Sequence, residues 1–289
     1  MKKILIVGKN SYIGKKLFSW LNKWPDQYQV TAISASNDMW RTFDLSGIDV
    51  VVNFAGLAHI NKITLDMESL FYSVNRDLAI ELCKTAREKG ITHFIQLSSM
   101  NVYGDFCGYI TNRDDAKPTS FYGNSKLEGD KGILSLADKH IKVTSIRPPF
   151  VYGKGCKGNY NTVRKLALCL PFFPTYKNRK SMIYVDNLCE FIRLTIDNEA
   201  EGVLTPQNRE LVSTSDLVTE IAYANNHCIH RLSIFNWCIP LLIKISGMVK
   251  KAFVDDSYSL NLSDYYNWEY CVVDFKESIA LTERDDKNE

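Results

Sequence analysis

"KILIVGKNSYIGKKLFSWLNKW", residues 3–24, changes its periodicity in the middle. Ile4 to Val7 form an unbroken apolar run that stops at Gly8; beyond it Ile13, Leu17, Trp20 and Leu21 recur at the spacing of one helix face. The reading is strand, glycine turn, helix. Gly8 and Gly14 bracket Ser11 as G-x-x-S-x-x-G. Glycines at those places let the chain turn sharply and set a helix amino end, with its free N–H groups and positive dipole end, against a pyrophosphate. The strand-turn-helix context is what makes so short a motif informative. Ser11 stands where a middle glycine is usual, which makes the loop less tight.

The same rhythm continues outward from this stretch. "YQVTAIS" (28–34), "DVVVNFAG" (49–56), "HFIQLSS" (93–99) and "KVTSIRPP" (142–149) read as strands, and 69–90 and 123–140 as helices between them. Strands alternating with helices predict an α/β fold with a parallel sheet covered by helices on both faces. After Tyr152 the rhythm breaks into "GKGCKGNYN", a helical 162–170 and the turn-rich "PFFPTYKNRK" (171–180). The expected organisation is a dinucleotide-binding unit over 1–152, rejoined by a strand and helix within 181–204. A smaller carboxyl-terminal substrate-binding lobe is expected over 153–180 and 205–289, placed over the carboxyl ends of the strands.

Composition narrows the classes of function. A chain of 289 residues with 45% hydrophobic content holds enough apolar material for a sizeable core. Its 35 basic and 33 acidic residues leave a formal charge of +2 without like-charge blocks, so nucleic-acid binding has no electrostatic footprint. The eight cysteines never form C-x-x-C and read as reduced, mostly buried thiols of a cytoplasmic protein. The apolar run at the amino end is too short for a signal peptide. "IFNWCIPLLIKISGMVKKAF" (234–253) contains Asn236, Pro240 and Lys244, which exclude a spanning segment; it reads as an amphipathic helix packed on the second lobe, with peripheral membrane contact as the alternative. His59, His93, His140, His227 and His230 show no metal-ligand spacing apart from the loose "HCIH" pair, and no metal is expected.

"YGNSK" (122–126) follows the loop-like "DDAKPTSF" (114–121) and puts Tyr122 and Lys126 four positions apart on one helix face. A phenol is a sluggish proton donor at neutral pH, and a nearby ammonium is expected to lower its pKa. In "LSSMNVYG" (97–104), Ser99 follows a buried strand whose end reaches the same place, where its hydroxyl can bond a reacting oxygen. The three together predict hydride transfer between a nicotinamide and a carbonyl or alcohol carbon, with Tyr122 handling the proton and Lys126 also binding the nicotinamide ribose. At the end of the second strand Ser34, Ala35 and Ser36 replace the acidic residue that meets a free ribose 2′-hydroxyl. With Lys9 and Arg41 they suit a 2′-phosphate, so NADP (NADPH) is preferred over NAD; Asp38 supports the opposite assignment.

In these motifs the chain resembles the extended short-chain dehydrogenase/reductases of the NAD(P)-dependent nucleotide-sugar epimerase/dehydratase type. The resemblance is carried, in family order, by "GKNSYIG", "NFAGLAH", "LSSMNVYG", "FYGNSKLEGD", "RPPFVYGKG" and "SMIYVDNL", and weakly by "SLNLSDYYNWEY" near the end. Within that family "RPPFVYGKGCKGNY" and "LPFFPTYKNRKSMIYVDNL" look most like UDP-4-keto-6-deoxy-N-acetylhexosamine 4-reductases, which make N-acetylquinovosamine- or N-acetylfucosamine-type sugars for surface polysaccharides. The amino-terminal half is also similar to dTDP-4-dehydrorhamnose reductases.

The resemblance implies a Rossmann-like fold in which Ser99, Tyr122 and Lys126 are the catalytic residues. It implies that Gly8, Ser11, Tyr12, Ile13 and Gly14 wrap the pyrophosphate, Asp44 and Leu45 meet the adenine, Ala55 and Gly56 pass beneath the ribose, and Pro148 lies near the nicotinamide. Asn159, Arg179 and Lys180 would contact a UDP-sugar; the cationic pair also suits a diphosphate on its own chemistry, with a solvated turn as the plainer alternative. A homodimer is left open.

Family dehydratases carry an Asp-Glu pair after the catalytic hydroxyl, whereas here Met100 and Asn101 stand there and neither exchanges a proton. Dehydration is therefore disfavoured. NADPH-dependent 4-keto reduction is the expected activity, an NAD-dependent UDP-sugar 4-epimerase the alternative, and a non-catalytic NADP-binding sensor or scaffold a minor one.

Overall fold

In the computed structural model, which describes residues 1–36, 39–58 and 67–284, the amino-terminal apolar run is β1 (Lys2–Val7) and the helix after the glycine turn is α1 (Tyr12–Leu21). Asp38 and His59 lie outside the described residues. The chain continues through β2 (Tyr28–Ile33), the single turn α2 (Met39–Thr42), β3 (Val50–Asn53), α3 (Glu68–Tyr72), a π-helical turn over Ser73–Asp77, α4 (Leu78–Glu88) and β4 (His93–Leu97). Then come a 3₁₀ turn over Met100–Tyr103, β5 (Gly108–Ile110), α5 (Phe121–Leu134), β6 (Lys142–Ile146), β7 (Phe150–Tyr152) and α6 (Asn159–Cys169). The remainder comprises β8 (Phe172–Pro174), β9 (Met182–Tyr184), α7 (Val185–Asp197), β10 (Gly202–Leu204), α8 (Thr214–Ala224), β11 (His230–Leu232), α9 (Ile239–Ile245), α10 (Gly247–Phe253), β12 (Asp256–Tyr258), α11 (Leu260–Ser263) and α12 (Phe275–Glu283).

Six strands form one parallel sheet in the order β10-β6-β4-β3-β1-β2. Successive residues of β1 point to opposite faces, and both faces are closed. Ile4 and Ile6 join Leu17 and Leu21 of α1 and Leu188, Phe191 and Ile192 of α7, while Leu5 and Val7 join Leu82 and Cys83 of α4 and Ile133 of α5. A strand buried on both faces needs a continuous apolar run, and that is how the sequence of β1 reads. The α/β fold with a helix-covered parallel sheet is therefore present as expected. Because β1 lies between β2 and β3, the connection direction reverses there, and the carboxyl ends of β1 and β3 make the switch point at which such sheets bind ligands.

Several local expectations differ from the structure. The helix over 69–90 is interrupted by the π turn at Ser73–Asp77, which turns Asn75 inward. The segment 181–204 does return to the sheet, but β9 pairs with β7 in a separate two-stranded ladder, and the added strand is β10 beside β6. Residues 234–253 form two short helices, because Pro240 starts α9 and the Ser246–Gly247 junction breaks the run; most of the large apolar side chains face outward. Of the eight free cysteines only Cys83, Cys156 and Cys189 are buried, so the thiols are less enclosed than expected. Among the described residues no helix is long and apolar enough to cross a membrane.

Candidate functional site

Gly8 adopts φ +104°, open to glycine and rarely to other residues. A β-carbon there would also stand 3.0 Å from Ala55 N, so the turn lies directly on the chain leaving β3. Ser11 caps α1: its Oγ accepts from Gly14 N at 2.9 Å, and a β-carbon on Gly14 would press on that oxygen at 2.6 Å. The cap satisfies one first-turn donor, and no acidic side chain stands in the first turn. Tyr12 and Ile13 begin the helix at this amino end. The Tyr12 hydroxyl donates to Lys154 O at 3.2 Å, and burial raises its pKa.

At the neighbouring strand end, Gly8 N and Lys9 N both donate to Ile33 O at 2.9 Å, which brings exposed Lys9 beside Ser34. Ser34 Oγ accepts from Ser36 N at 3.1 Å. Arg41 makes an ion pair with Glu81 and lies 4.6 Å over the Trp40 ring. Asp44 accepts from Ser46 N at 2.9 Å, its carboxyl pKa is lowered by hydrogen bonds with the Ser46 side chain and then its backbone, and Leu45 is buried in the core. Ala55 N donates to Asn53 Oδ1 at 2.9 Å, and Asn53 in turn donates to Gln96 Oε1 at 2.8 Å, which fixes the turn beyond β3 to β4.

One strand further along, Ser120 caps α5 by accepting from Gly123 N at 3.1 Å, and the helix so started carries Tyr122, Lys126 and Asp130 at successive four-residue intervals. Lys126, 5% exposed, donates from Nζ to Leu97 O at 3.0 Å at the end of β4. Tyr122 is half-buried, its ring edge-on to Phe71 at 6.3 Å, and its hydroxyl is in hydrogen-bonding contact with Ser99. Ser99 Oγ also donates to Asn101 Oδ1 at 3.0 Å. Ser99, Tyr122 and Lys126 are thus brought together, with Gly56 beside Lys126 and Pro148, whose carbonyl accepts from Met100 N at 3.0 Å, on the flank.

The electrostatics depart from expectation. The Tyr122 pKa is raised, because burial outweighs the hydrogen bond with Ser99 and the charge of Asp130 adds in the same direction. Lys126 is pulled down to about 8, chiefly by burial, with Asp130 acting against the shift. The lysine is committed to a carbonyl and is itself short of solvent, so it does not acidify the phenol in the protein alone.

Two supports escaped the sequence reading. Asn75 accepts from Leu57 N at 2.9 Å and donates to Leu57 O at 3.3 Å and Ser125 Oγ at 3.0 Å, clasping the turn after Gly56 to α5. Asp130, 1% exposed, accepts from Ser98 Oγ at 2.8 Å and from Arg147 Nε at 2.9 Å; Arg147 also donates to Tyr103 OH at 3.0 Å. Asn75 sits in a π turn with no sequence signature, while Asp130 had one: it continues the Tyr122–Lys126 face by another four residues.

The residues expected to contact a substrate are more dispersed. Asn159 is exposed at the start of α6. Arg179 makes a two-pronged pair with Asp255 (3.0 and 2.8 Å) and lies 4.5 Å over the Tyr109 ring. Lys180 donates from Nζ to Lys251 O at 3.1 Å, and burial lowers its pKa. These two adjoin β12, which pairs with β5 in the segment that follows Ser99, so they share a neighbourhood with the Ser99 loop.

Residues 4–204 match the family described as NAD dependent epimerase/dehydratase. The chain is 30% identical over 274 residues to a UDP-glucose 4-epimerase of Vibrio cholerae, covering 85% of this chain and 83% of that one. It is 26% identical over 271 residues to an N-acetyl-α-D-glucosaminyl-diphospho-ditrans,octacis-undecaprenol 4-epimerase of Escherichia coli O157:H7, covering 84% and 81%. The solved structure of dTDP-4-dehydrorhamnose reductase from Bacillus anthracis in complex with NADP superposes with a TM-score of 0.63 at 19% identity, covering 82% of this chain and 86% of that one. A match over most of the chain, with a glycine turn at the switch point of a six-stranded parallel sheet, makes this protein a member of the NAD dependent epimerase/dehydratase family, a family of NAD(P)-dependent nucleotide-sugar enzymes.

Proposed function

We propose that the protein reduces the 4-keto group of a UDP-4-keto-6-deoxy-N-acetylhexosamine with NADPH. The observation that carries this reading is the meeting of Ser99, Tyr122 and Lys126 next to Gly56 at the strand ends, with Met100 and Asn101, rather than an acid and a base, following Ser99. The turn suits a dinucleotide, since Gly8 and Gly14 pack too closely on Ala55 N and Ser11 Oγ to admit a β-carbon and the chain turns sharply into the amino end of α1, where a pyrophosphate is favoured. Gly8 to Gly14 would hold the pyrophosphate, and Ser34, Ser36 and Lys9 a ribose 2′-phosphate. The bound nicotinamide supplies the hydride that goes to the carbonyl carbon.

Tyr122 donates its proton to the carbonyl oxygen as the negative charge develops, and the Ser99 hydroxyl hydrogen-bonds the same oxygen. The product is an alcohol, with one hydride and one proton added. Lys126, steadied by Leu97 O, holds the nicotinamide ribose with its remaining donors. Arg179 and Lys180 would face the sugar diphosphate. Met100 and Asn101, next to Ser99, offer no acid or base for expelling water, so the reaction stops at hydride and proton transfer.

A 4-epimerase is the second reading, favoured by the two relatives named as 4-epimerases that align over more than four-fifths of the chain. Incubation with NADPH and the UDP-4-keto-6-deoxy sugar separates the two. Reduction predicts stoichiometric loss of NADPH and a 4-hydroxy product by NMR; interconversion of a UDP-hexose with no net nucleotide consumed, and no reduction of the keto sugar, would replace this reading with the second.

A further inference from the structure

The α9–α10 hairpin and the turn that leads into it from Ser233 carry Ile234, Phe235, Trp237, Leu241, Ile245 and Met248 at 46–81% exposure. Six large apolar side chains exposed within the short segment 234–248 of a folded chain mark a contact site. The hairpin is not loosely placed. Ile239 is 3% exposed, Phe253 packs its ring against Phe173 and Tyr176 at 5.9 and 5.6 Å, and Asn178 Nδ2 donates to Ala252 O at 3.1 Å. Its inner face is therefore fixed to the rest of the molecule, and its orientation presents the outer face to the surroundings.

Charge selects among occupants. From Ile221 to Val254 the chain has no aspartate or glutamate, yet it has Arg231, Lys244, Lys250 and Lys251, in a protein whose whole formal charge is +2. Arg231 is paired with Asp216, whereas Lys244, Lys250 and Lys251 have no ion pair among the described residues. A second copy of this face would bring like charges together. An anionic lipid surface accepts both parts: apolar side chains and a tryptophan at the headgroup boundary, and lysines at the phosphates. Two seven-residue helices are far too short to span, which fits lying in the interface plane.

We infer that the α9–α10 hairpin is a peripheral anchor that docks the protein on an anionic membrane surface. The anchor adjoins the site. Lys250 Nζ lies 4.7 Å over the ring of Phe106, in the loop that follows Ser99, and Lys180 donates to Lys251 O, so docking sets the Ser99 loop and the Arg179–Lys180 pair beside the lipid.

The test is co-sedimentation of the full chain with phosphatidylglycerol/phosphatidylcholine vesicles and with phosphatidylcholine vesicles alone, in the absence of any sugar, so that its failure is independent of the catalytic reading. Binding to the anionic vesicles that weakens with salt is expected. Trp237→Ser with Ile245→Ser, and separately Lys244→Glu with Lys251→Glu, should each lower the partition coefficient at least about tenfold, with circular dichroism and nucleotide binding unchanged. Equal partition of the wild type and both variants overturns the inference, and so does a dimer in solution that the Trp237→Ser, Ile245→Ser variant dissolves.

Discussion

Gly56 lies so close to Lys126 that a β-carbon built on it would stand 2.8 Å from the ammonium nitrogen, and 3.1 Å from Asn75 Oδ1. The lysine end is flexible and can yield, but only by giving up its position at Leu97 O. Gly56→Ala is therefore expected to keep the fold, with a small change in melting temperature, while kcat falls more than about tenfold, because displacing a positioned group by fractions of an ångström is costly to catalysis. Paired thermal melts and steady-state kinetics check this; an unchanged kcat would show that Lys126 is not required where it stands.

The pH dependence follows from Lys126. Its ammonium is the folded-state form below about 8, so kcat/KM is expected to fall as pH rises through about 8. Stability moves the other way. Between about 8 and the ordinary lysine value the unfolded chain binds the proton that the folded chain has lost, so rising pH favours the folded state in that window. A falling rate alongside a steady or rising denaturation midpoint distinguishes this titration from alkaline unfolding.

Asp130 supplies the buried charge that opposes the Lys126 shift and pairs with Arg147, both nearly inaccessible. Asp130→Asn removes that charge and leaves Arg147 unpaired, and breaking such a pair costs about 3–5 kcal/mol of stability. Urea denaturation should show this loss. In the variant the alkaline limb of kcat/KM should also move to lower pH, a displacement that a purely structural role would not produce.

Asn75 closes the turn after Gly56 onto α5 through Leu57 and Ser125. Asn75→Ala leaves buried partners unsatisfied, at a cost of about 1–3 kcal/mol for each such group. The variant should lose stability and bind NADPH more weakly, with the dissociation constant read by fluorescence titration.

The sheet, its helix-covered faces and the glycine turn were legible because long apolar runs and a helical period leave a mark in the sequence. Ser99, Tyr122 and Lys126 were legible for a similar reason: a four-residue interval on one helix and the end of a buried strand can be read one dimension at a time. What could not be read is what depends on approach in space. The three-residue strands β5, β7, β8 and β10 to β12 are too short to show a period, and each pairs with a segment distant in sequence. The inward turn of Asn75 depends on one extra residue in a π turn. The raised pKa of Tyr122 reflects burial, which spacing alone does not reveal, so the expectation of acidification by Lys126 had the right neighbours and the wrong balance.

In the proposed reaction the Tyr122 hydroxyl delivers the proton to the carbonyl reduced by the nicotinamide. Single-turnover reduction of the UDP-4-keto-6-deoxy sugar by Tyr122→Phe, with NADPH binding confirmed beforehand, tests it most directly. A loss of about 10²–10⁴-fold is expected, the usual size of a general-acid contribution, with the nucleotide still bound. Reduction by the phenylalanine variant at the wild-type rate would contradict it.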